Sequence, residues 1–486
     1  MAESVALSSL REGDRVVVGG DRQVIVDAAL AAAFAPGDRL IVAGTDVLHI
    51  PAADADVAAT AVGAAVGAVT PLARCSAESI TEFFDDFARR LEDPTIVAML
   101  QAANERDVAD AAARGRSTTR LVLDDAMLAS MVEGLRMWRD TPDLRDVEVA
   151  RVDHDGWHVA ARQAPLGAVG FVFEGRPNVF ADAAGVVRSG NTAVLRIGSD
   201  ALGTATAIVE HAVVPALSAA GLPTDAMVLV GSRAHAAGWA MFADDRLALA
   251  VARGSGAAVA QLGAVARAVG TPVSLHGTGG AWVIAADDAE AARLAATIEN
   301  SLDRKVCNTV NTVCIPASRA DDLVGVAMDA VAAAGRRRGV GARVHVTAAT
   351  AAHLDASPEG IDVVTITDDE LGHEWEWENV PECTVAVVAD VDDAVERFNR
   401  WSPHFVCSVI TTSDEVVERV YATVDAPFVG DGFTRWVDGQ YALGEPELGL
   451  SNWEGGRLLG RGGVLSGASV HTVRLLARFD DVSIRR

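Results

Sequence analysis

Apolar positions along the chain follow two periods. From Ser76 the row Ile80, Phe83, Phe84 and Phe87 repeats at helical spacing, with Ser76 and Glu78 where a helix should begin. Helical patterning continues to about Arg139. A strand-rich connector at about 146–163 follows, with His154-Asp155-Gly156 as its hairpin turn. Continuous apolar runs at 168–173, 192–197 and 226–231 then read as buried parallel strands. Helical patterns separate them at Asp182–Arg188 and Leu202–Ala220, and Ser189-Gly190-Asn191 is a C-cap signal. Strands alternating with helices across short Gly turns predict an α/β chain with a doubly wound sheet, and a second such series starts near Val273.

Residues 1 to about 72 read differently. RVVVGG, RQVIVDAALAAAF and DRLIVAG alternate short strand-like and helix-like patterns around Gly turns, with Pro36-Gly37 as a breaker. The uncharged stretch Ala58–Val69 is built from Ala, Gly and Val with one Thr and falls short of the roughly 20 strongly apolar residues of a membrane span, so it predicts a buried small-residue helix. Further on, Trp375 and Trp377 in HEWEWEN predict a strand packed against the core, with ligand binding as the other reading.

Length and charge narrow the classes. At roughly 150 residues per domain, 486 residues suggest about three domains with ample core. Half the chain is apolar, which argues against a disordered acidic protein. A net charge of −26 argues against a general nucleic-acid binder, because no basic stripe could release counterions from phosphates. The positive charge is almost all Arg, and Lys305 is the only lysine; this reads either as compositional bias or as a residue with a task. Five scattered cysteines without a C-x-x-C pair are neither a disulfide framework nor a zinc set, and no metal site is expected. The N-terminus lacks a basic segment followed by an apolar one, so a soluble cytoplasmic protein is expected.

Three turns after successive strands would present backbone N–H groups at helix starts, as phosphate recognition requires. They are Arg196-Ile197-Gly198-Ser199, Gly231-Ser232-Arg233 and Arg253-Gly254-Ser255-Gly256. Each alone is ordinary loop chemistry; together they suggest a dinucleotide, although a G-x-G-x-x-G fingerprint is absent. Arg196 and Ser199 fall where the adenosine ribose would lie, and a cation there favours a 2′-phosphate, hence NADP. Cys307 directly follows Arg304-Lys305-Val306, an electropositive setting that would populate a thiolate; the alternative is a buried thiol beside a solvated basic turn. Glu174-Gly175-Arg176-Pro177-Asn178 follows the strand 168–173. Asn178 could donate to an oxyanion and Arg176 could hold an anion, or the segment is a simple Pro turn.

At these residues the chain resembles the γ-glutamyl phosphate reductase (glutamate-5-semialdehyde dehydrogenase) family of the aldehyde dehydrogenase superfamily. The segment PLGAVGFVFEGRPNVFADAAGVVRSGNTAVLRIGS carries the resemblance, with ADAAARG (110–116), VARGSG (251–256), VCNTVNT (306–312), DVDDAVERFN (390–399), VDAPFVGDGFTRWVDG (424–439) and RGG (461–463). It extends from about Ser76 to the C-terminus.

The resemblance implies two doubly wound α/β domains, a small oligomerisation element and reduction of an acyl phosphate by NADPH. Cys307 would be the nucleophile. Its backbone N–H and the Asn178 side chain would form the oxyanion hole. Arg176, His404 and Arg435 would be substrate anchors. His404 could equally be a buried structural histidine, and Arg435 could pair with a carboxylate such as Asp438. No counterpart of the superfamily's hydrolytic Glu base stands in HGTGGAW (276–282), which suits phosphate rather than water as second partner. Trp282 stands where the family usually has His, Phe405-Val406 replaces a usual Ser/Thr plus acid beside His404, and 442–463 matches loosely.

The expected organisation is an extra N-terminal region (1–72), an NADP-binding domain (73–273) with the connector contributing to oligomerisation, a catalytic domain (274–427), and a C-terminal return with an oligomerisation element (428–486). Expected partners are a small acyl phosphate and further copies of the chain, with an upstream kinase or carrier protein docking through 1–72 and neither nucleic acid nor membrane. Deleting 1–72 would then spare turnover of a free substrate. Three other readings stand beside this one: a diverged reductase with another acyl substrate, oxidation of a free aldehyde, and a non-catalytic scaffold.

Overall fold

The computed structural model describes residues 7–484 apart from 117, 119, 174–175, 355–358, 438–441, 445, 450–452, 455–456 and 459–464. Glu174, Gly175, Asp438 and the RGG segment at 461–463 therefore lie outside the described residues, as does most of 450–463. The chain divides into two compact units: residues 1–277 with 444–449 and 464–486, and residues 278–443 with 450–463.

The first unit is built on a parallel sheet of β1 (Ala168–Phe173), β2 (Thr192–Ile197), β3 (Met227–Leu229), β4 (Leu249–Arg253) and β5 (Val273–His276), ordered β5-β4-β1-β2-β3. β1 and β2 are buried at every position, as their uninterrupted apolar runs require. The strand expected at 226–231 shortens to the three residues of β3, at the sheet's edge. The chain moves outward from β1 to β3, then returns to the other side of β1 for β4, so the order reverses between β1 and β4.

Helices Ala77–Glu92, Pro94–Ala113, Asp125–Asp140 and Val179–Arg188 supply one apolar layer of this unit. The Ser76 side chain caps the first of them by accepting from the Ser79 N–H, and Ile80, Phe83, Phe84 and Phe87 are fully buried. The helix expected at 202–220 forms, with a π segment at Val209–Val213 in its middle. Gly190 closes the Val179–Arg188 helix at φ +82, a left-handed conformation that favours glycine. Beside it, the Asn191 carbonyl accepts from the Leu166 and Gly167 N–H groups, and its amide donates to the Val470 carbonyl. This one side chain ties the C-terminal segment to the sheet.

Helix Ala52–Ala73 packs with His235–Phe242 and Gly256–Ala268 in a second apolar cluster against the same sheet. Its small residues allow close approach: Ala58, Val62 and Ala65 are fully buried, and the Thr192 hydroxyl donates to the Ala65 carbonyl. Ala52–Ala73 and Ser199–Ala219 have the length and apolar character of a membrane span, and both contribute to the apolar core of this unit. The end of the N-terminal segment is thus part of the sheet's cover, not a detachable module. An antiparallel sheet joins Glu148–His154, Trp157–Ala164 and Thr472–Phe479, with Asp155-Gly156 at the expected turn.

The second unit holds a seven-stranded parallel sheet. Its strands are β6 (Ala281–Ala285), β7 (Val310–Pro316), β8 (Ala342–Val346), β9 (Ile361–Thr365), β10 (Glu382–Val388), β11 (Val406–Ile410) and β12 (Phe428–Gly430), ordered β9-β8-β10-β7-β6-β11-β12. Helices Ala291–Ser301 and Ala320–Arg337 pack in one apolar cluster, Val391–Trp401 and Asp414–Thr423 in another. β12 and the helical turn Thr434–Val437, grouped by sequence with the C-terminal return, lie within this unit.

The Trp375 segment is not the expected strand. Its backbone is held by a side chain instead of a ladder: Trp375 N–H donates to Asn311 Oδ1, and Asn311 Nδ2 donates to the His373 carbonyl. Both tryptophans still pack on the core. Trp377 is buried, and Trp375 stacks on His345 with ring centres 3.4 Å apart.

Truncation separates the parts of the N-terminal region. The hairpin Arg15–Gly19 with Arg22–Ile25 is largely exposed, so starting the chain at residue 27 should shift Tm by only a few degrees. Starting it at residue 73 uncovers the sheet; burial of Val62 and Leu72 alone is worth about 1.5–3 kcal/mol each. Loss of the cooperative thermal transition is expected there, checked by calorimetry of both truncations.

Candidate functional site

In an all-parallel sheet every strand begins on the same edge, and in the second unit the candidate residues gather at that amino edge. Residues 278–280 lead into β6 and residues 303–309 into β7. Cys307 lies on the second of these loops and is half-buried. The Gly280 N–H donates to the Cys307 carbonyl at 2.7 Å. A Cβ on Gly279 would stand 2.5 Å from the Cys307 carbonyl oxygen and 2.9 Å from its Cβ, so only glycine fits there. The Thr309 hydroxyl closes the loop, donating to the Arg304 carbonyl and accepting from the Val306 N–H.

Lys305 is the residue whose role the structure changes most. Its side chain is 6% exposed, and its ammonium meets Glu374 at 2.5 Å and Glu376 at 3.8 Å. The other Glu374 oxygen accepts from the Gly279 N–H at 2.7 Å. The basic run before Cys307 is therefore not a cationic patch: Lys305 is matched by carboxylates, while Arg304 extends to solvent beside Asp303. Glu374 was missed by sequence reasoning, because it lies 67 positions beyond Cys307 and nothing local marks it.

Arg435 braces the same loop. Its Nε donates to Asn308 Oδ1 at 2.7 Å and it pairs with Asp303, while the Thr434 hydroxyl donates to the Asn308 carbonyl. His404 adopts φ +54, with its N–H on the Ser402 hydroxyl and its Nδ1 at the Asp425 carbonyl and carboxylate. Trp282 is fully buried against Phe398. Burial pushes the thiols of Cys314 and Cys383 up to about 12, and that of Cys407 higher still.

In the first unit the candidates lie at the opposite kind of edge, after the carboxyl ends of the strands. Arg196 near the end of β2 is buried. One of its terminal nitrogens donates to the Ala234 carbonyl at 3.1 Å, and its Nε has no partner among the described residues. Burial lowers the Arg196 pKa, and the Arg233 guanidinium donates to the Ser199 carbonyl. Gly198 N–H donates to the Phe173 carbonyl, joining the turns after β1 and β2.

Ser255 stands at the N-cap of helix Gly256–Ala268 and makes no capping bond with its side chain. The Gly254 N–H donates to the His276 carbonyl. Arg253 sits over the Phe173 ring and 3.9 Å from Asp182. Asn178 precedes helix Val179–Arg188 without capping it, and its buried Oδ1 has no partner among the described residues. The turns after β1 and β4 thus flank the strand-order reversal, where open sheets hold ligands. An orphaned, buried guanidinium nitrogen is what a phosphate-bearing dinucleotide would satisfy, so these residues fit such a cofactor. Among the described residues no three metal-ligating side chains cluster.

Two outcomes follow. Gly279→Ala forces the Cys307 backbone aside, an overpacking that typically costs about 1–3 kcal/mol; alkylation of Cys307 and turnover should both slow while the fold survives. Burial, then Arg253 and Arg176, hold the His276 pKa down from 6.5 to about 3. A depressed folded-state pKa means stability present above 6.5 and lost as pH falls toward 3. His276→Asn should flatten that acid limb in urea titrations.

Known proteins place this architecture. The model of the aldehyde dehydrogenase family matches residues 41–353. γ-Glutamyl phosphate reductase from Thermotoga maritima superposes with a TM-score of 0.78 at 22% identity, covering 89% of this chain and all of that one. Propionaldehyde dehydrogenase from Rhodopseudomonas palustris, with bound CoA and an acylated cysteine, gives 0.61 at 15% identity over 88% of this chain and 98% of that one. An engineered glycolyl-CoA reductase with bound NADP+ gives 0.59 at 15% identity over 88% and 98%. At these identities the shared property is the fold. With the family model spanning more than half its length, the chain belongs to the aldehyde dehydrogenase family.

Proposed function

We propose that this protein reduces an acyl phosphate, γ-glutamyl phosphate being the first to test, to the aldehyde through a thioester on Cys307. The observation that carries the reading is the contrast among the second unit's thiols. Cys314, Cys383 and Cys407 are buried and hard to ionise, whereas Cys307 keeps solvent access on a loop fixed from several sides. The Cys307 thiolate attacks the acyl carbon; the C–O bond to phosphate breaks and phosphate leaves with the electron pair. NADPH, when bound, supplies the hydride that reduces the thioester carbon. The resulting thiohemiacetal collapses, its C–S bond breaks, and aldehyde and Cys307 thiolate are released.

Arg196, Gly198, Ser199, Arg253, Gly254, Ser255 and Gly256 are the residues that would hold the cofactor, with the orphaned Arg196 Nε favouring a 2′-phosphate. Asn178 is the oxyanion donor in this reading; losing one such donor typically costs roughly 3–4 kcal/mol of transition-state stabilisation. Arg176 is the anion anchor. His404 and Arg435 already hold protein partners, which supports bracing roles for them. Glu374 reaches the loop at 278–280, but both its oxygens are engaged, by Lys305 and Gly279, so it is poorly suited to activate water. That supports acyl transfer from phosphate over oxidation of a free aldehyde. Exposed Val149, Val152, Val473, Leu475 and Phe479 on the antiparallel sheet support self-association, and a cytoplasmic setting suits the labile substrate.

The test is acylation without the reductant. Mixed with enzymatically generated γ-glutamyl phosphate and no NADPH, the protein should gain the acyl mass on the Cys307 peptide, and Cys307→Ala should abolish both this and turnover. Acylation by another acyl phosphate alone would move the substrate and keep the chemistry; acylation by none would end the reading. Arg196→Met should weaken NADPH binding by roughly tenfold or more while NADH binding stays unchanged, read by nicotinamide fluorescence.

A further inference from the structure

We propose that Lys305 and Glu374 form a charge-balanced positioning pair that sets the placement and ionisation of Cys307. Neither residue need touch substrate. Glu374 divides its carboxylate: Oε1 meets the Lys305 ammonium at 2.5 Å, and Oε2 accepts from the Gly279 N–H at 2.7 Å. Gly279 in turn lies so close to Cys307 that a single added carbon would strike its carbonyl oxygen, Cα and Cβ. The pair therefore links the loop before β7 to the loop before β6, with the nucleophile two residues after Lys305 and packed directly on Gly279.

Charge balance is the second half of the inference. Lys305 and Glu374 are 6% and 14% exposed, so neither charge is well screened; removing Lys305 leaves Glu374 without its ammonium partner, and removing Glu374 leaves Lys305 with only the exposed Glu376 at 3.8 Å. Other charged groups among the described residues also face the loop. Asp303 and Arg304 are on it, His373 and Glu376 lie on the segment carrying Glu374, Arg435 comes from the turn after β12, and the Arg338 guanidinium donates to the Asp303 carbonyl at 2.6 Å. Arg435 and Asp303 balance each other, and Arg304 and Glu376 are each 69% exposed. The Lys305–Glu374 pair is thus less exposed than the Arg435–Asp303 pair at this loop. It also gives the chain's single lysine a task.

The inference rests on Cys307 being the nucleophile, but its readout does not need turnover. Alkylation of the Cys307 peptide by iodoacetamide is followed by mass spectrometry from about pH 6 to 10 on the full chain. Lys305→Met leaves a buried carboxylate, and the alkylation midpoint should rise by about one pH unit, a roughly tenfold loss of thiolate below it. Glu374→Gln keeps an oxygen acceptor for the Gly279 N–H and leaves a buried ammonium, so the midpoint should fall. The double variant Lys305→Met/Glu374→Gln should return near wild type, which a purely structural role would not produce.

Midpoints that coincide across all four proteins, or a double variant displaced further than either single, would overturn the pair. Should Lys305→Met fail to fold, the downward shift in Glu374→Gln decides alone. Turnover surviving in Cys307→Ala would instead remove the functional reading, and the alkylation shifts would still report on the pair.

Discussion

Both parallel sheets need cover on both faces, because strands buried on each side cannot leave either face to water. That constraint governs where chemistry can occur in each unit. The interior positions of β1, β2, β6, β7 and β11 are buried, and the groups proposed for chemistry lie at strand ends. In the first unit they occupy the carboxyl ends, where turns deliver backbone N–H groups and Arg196, Arg253 and Asn178. In the second unit they occupy the amino edge, where the loops entering β6 and β7 meet. The same rule explains why helix Ala52–Ala73 cannot be a loose appendage, since it helps cover one face of the first unit's sheet.

Around Cys307, fixation comes from backbone packing first and charge second. Gly279 and Gly280 bring one loop against the Cys307 main chain, Thr309 closes the turn on itself, and Arg435 with Thr434 holds Asn308. Several short restraints on one loop leave the thiol half-exposed but not free to wander, which is the preorganisation nucleophilic catalysis requires. Acidic residues are abundant in this chain, yet here they serve cations: Asp303 meets Arg435 and Glu374 meets Lys305. A net charge of −26 is thus compatible with an anionic substrate, because the local partners, not the total, set the field at the site.

Much of this was legible in the sequence. Continuous apolar runs located β1 and β2, the helical row at Ile80–Phe87 located its helix with the correct cap, and Ser189-Gly190-Asn191 marked a real helix end. The Cys307 and Asn178 segments carried the family resemblance on which the functional reading stands. One expectation went differently: the Trp375 segment is irregular because Asn311 captures its backbone. In the run before Cys307, Lys305 is paired with Glu374 while Arg304 extends to solvent, and Arg435 takes the carboxylate pairing left open for it, with Asp303 as the partner.

The division between the two levels has one physical origin. Period, capping residues and turn glycines act over a few positions, so the sequence by itself determined the α/β class and the buried strands, and it singled out Cys307 as the candidate thiol. Partners separated by tens or hundreds of positions meet only when the sheet order brings strand ends together. Tertiary structure alone decided that Glu374 would reach Lys305 and Gly279, that Arg435 would brace Asn308, and that Ala52–Ala73 would help cover the first sheet. Those pairings depend on distance in space, which linear spacing does not encode.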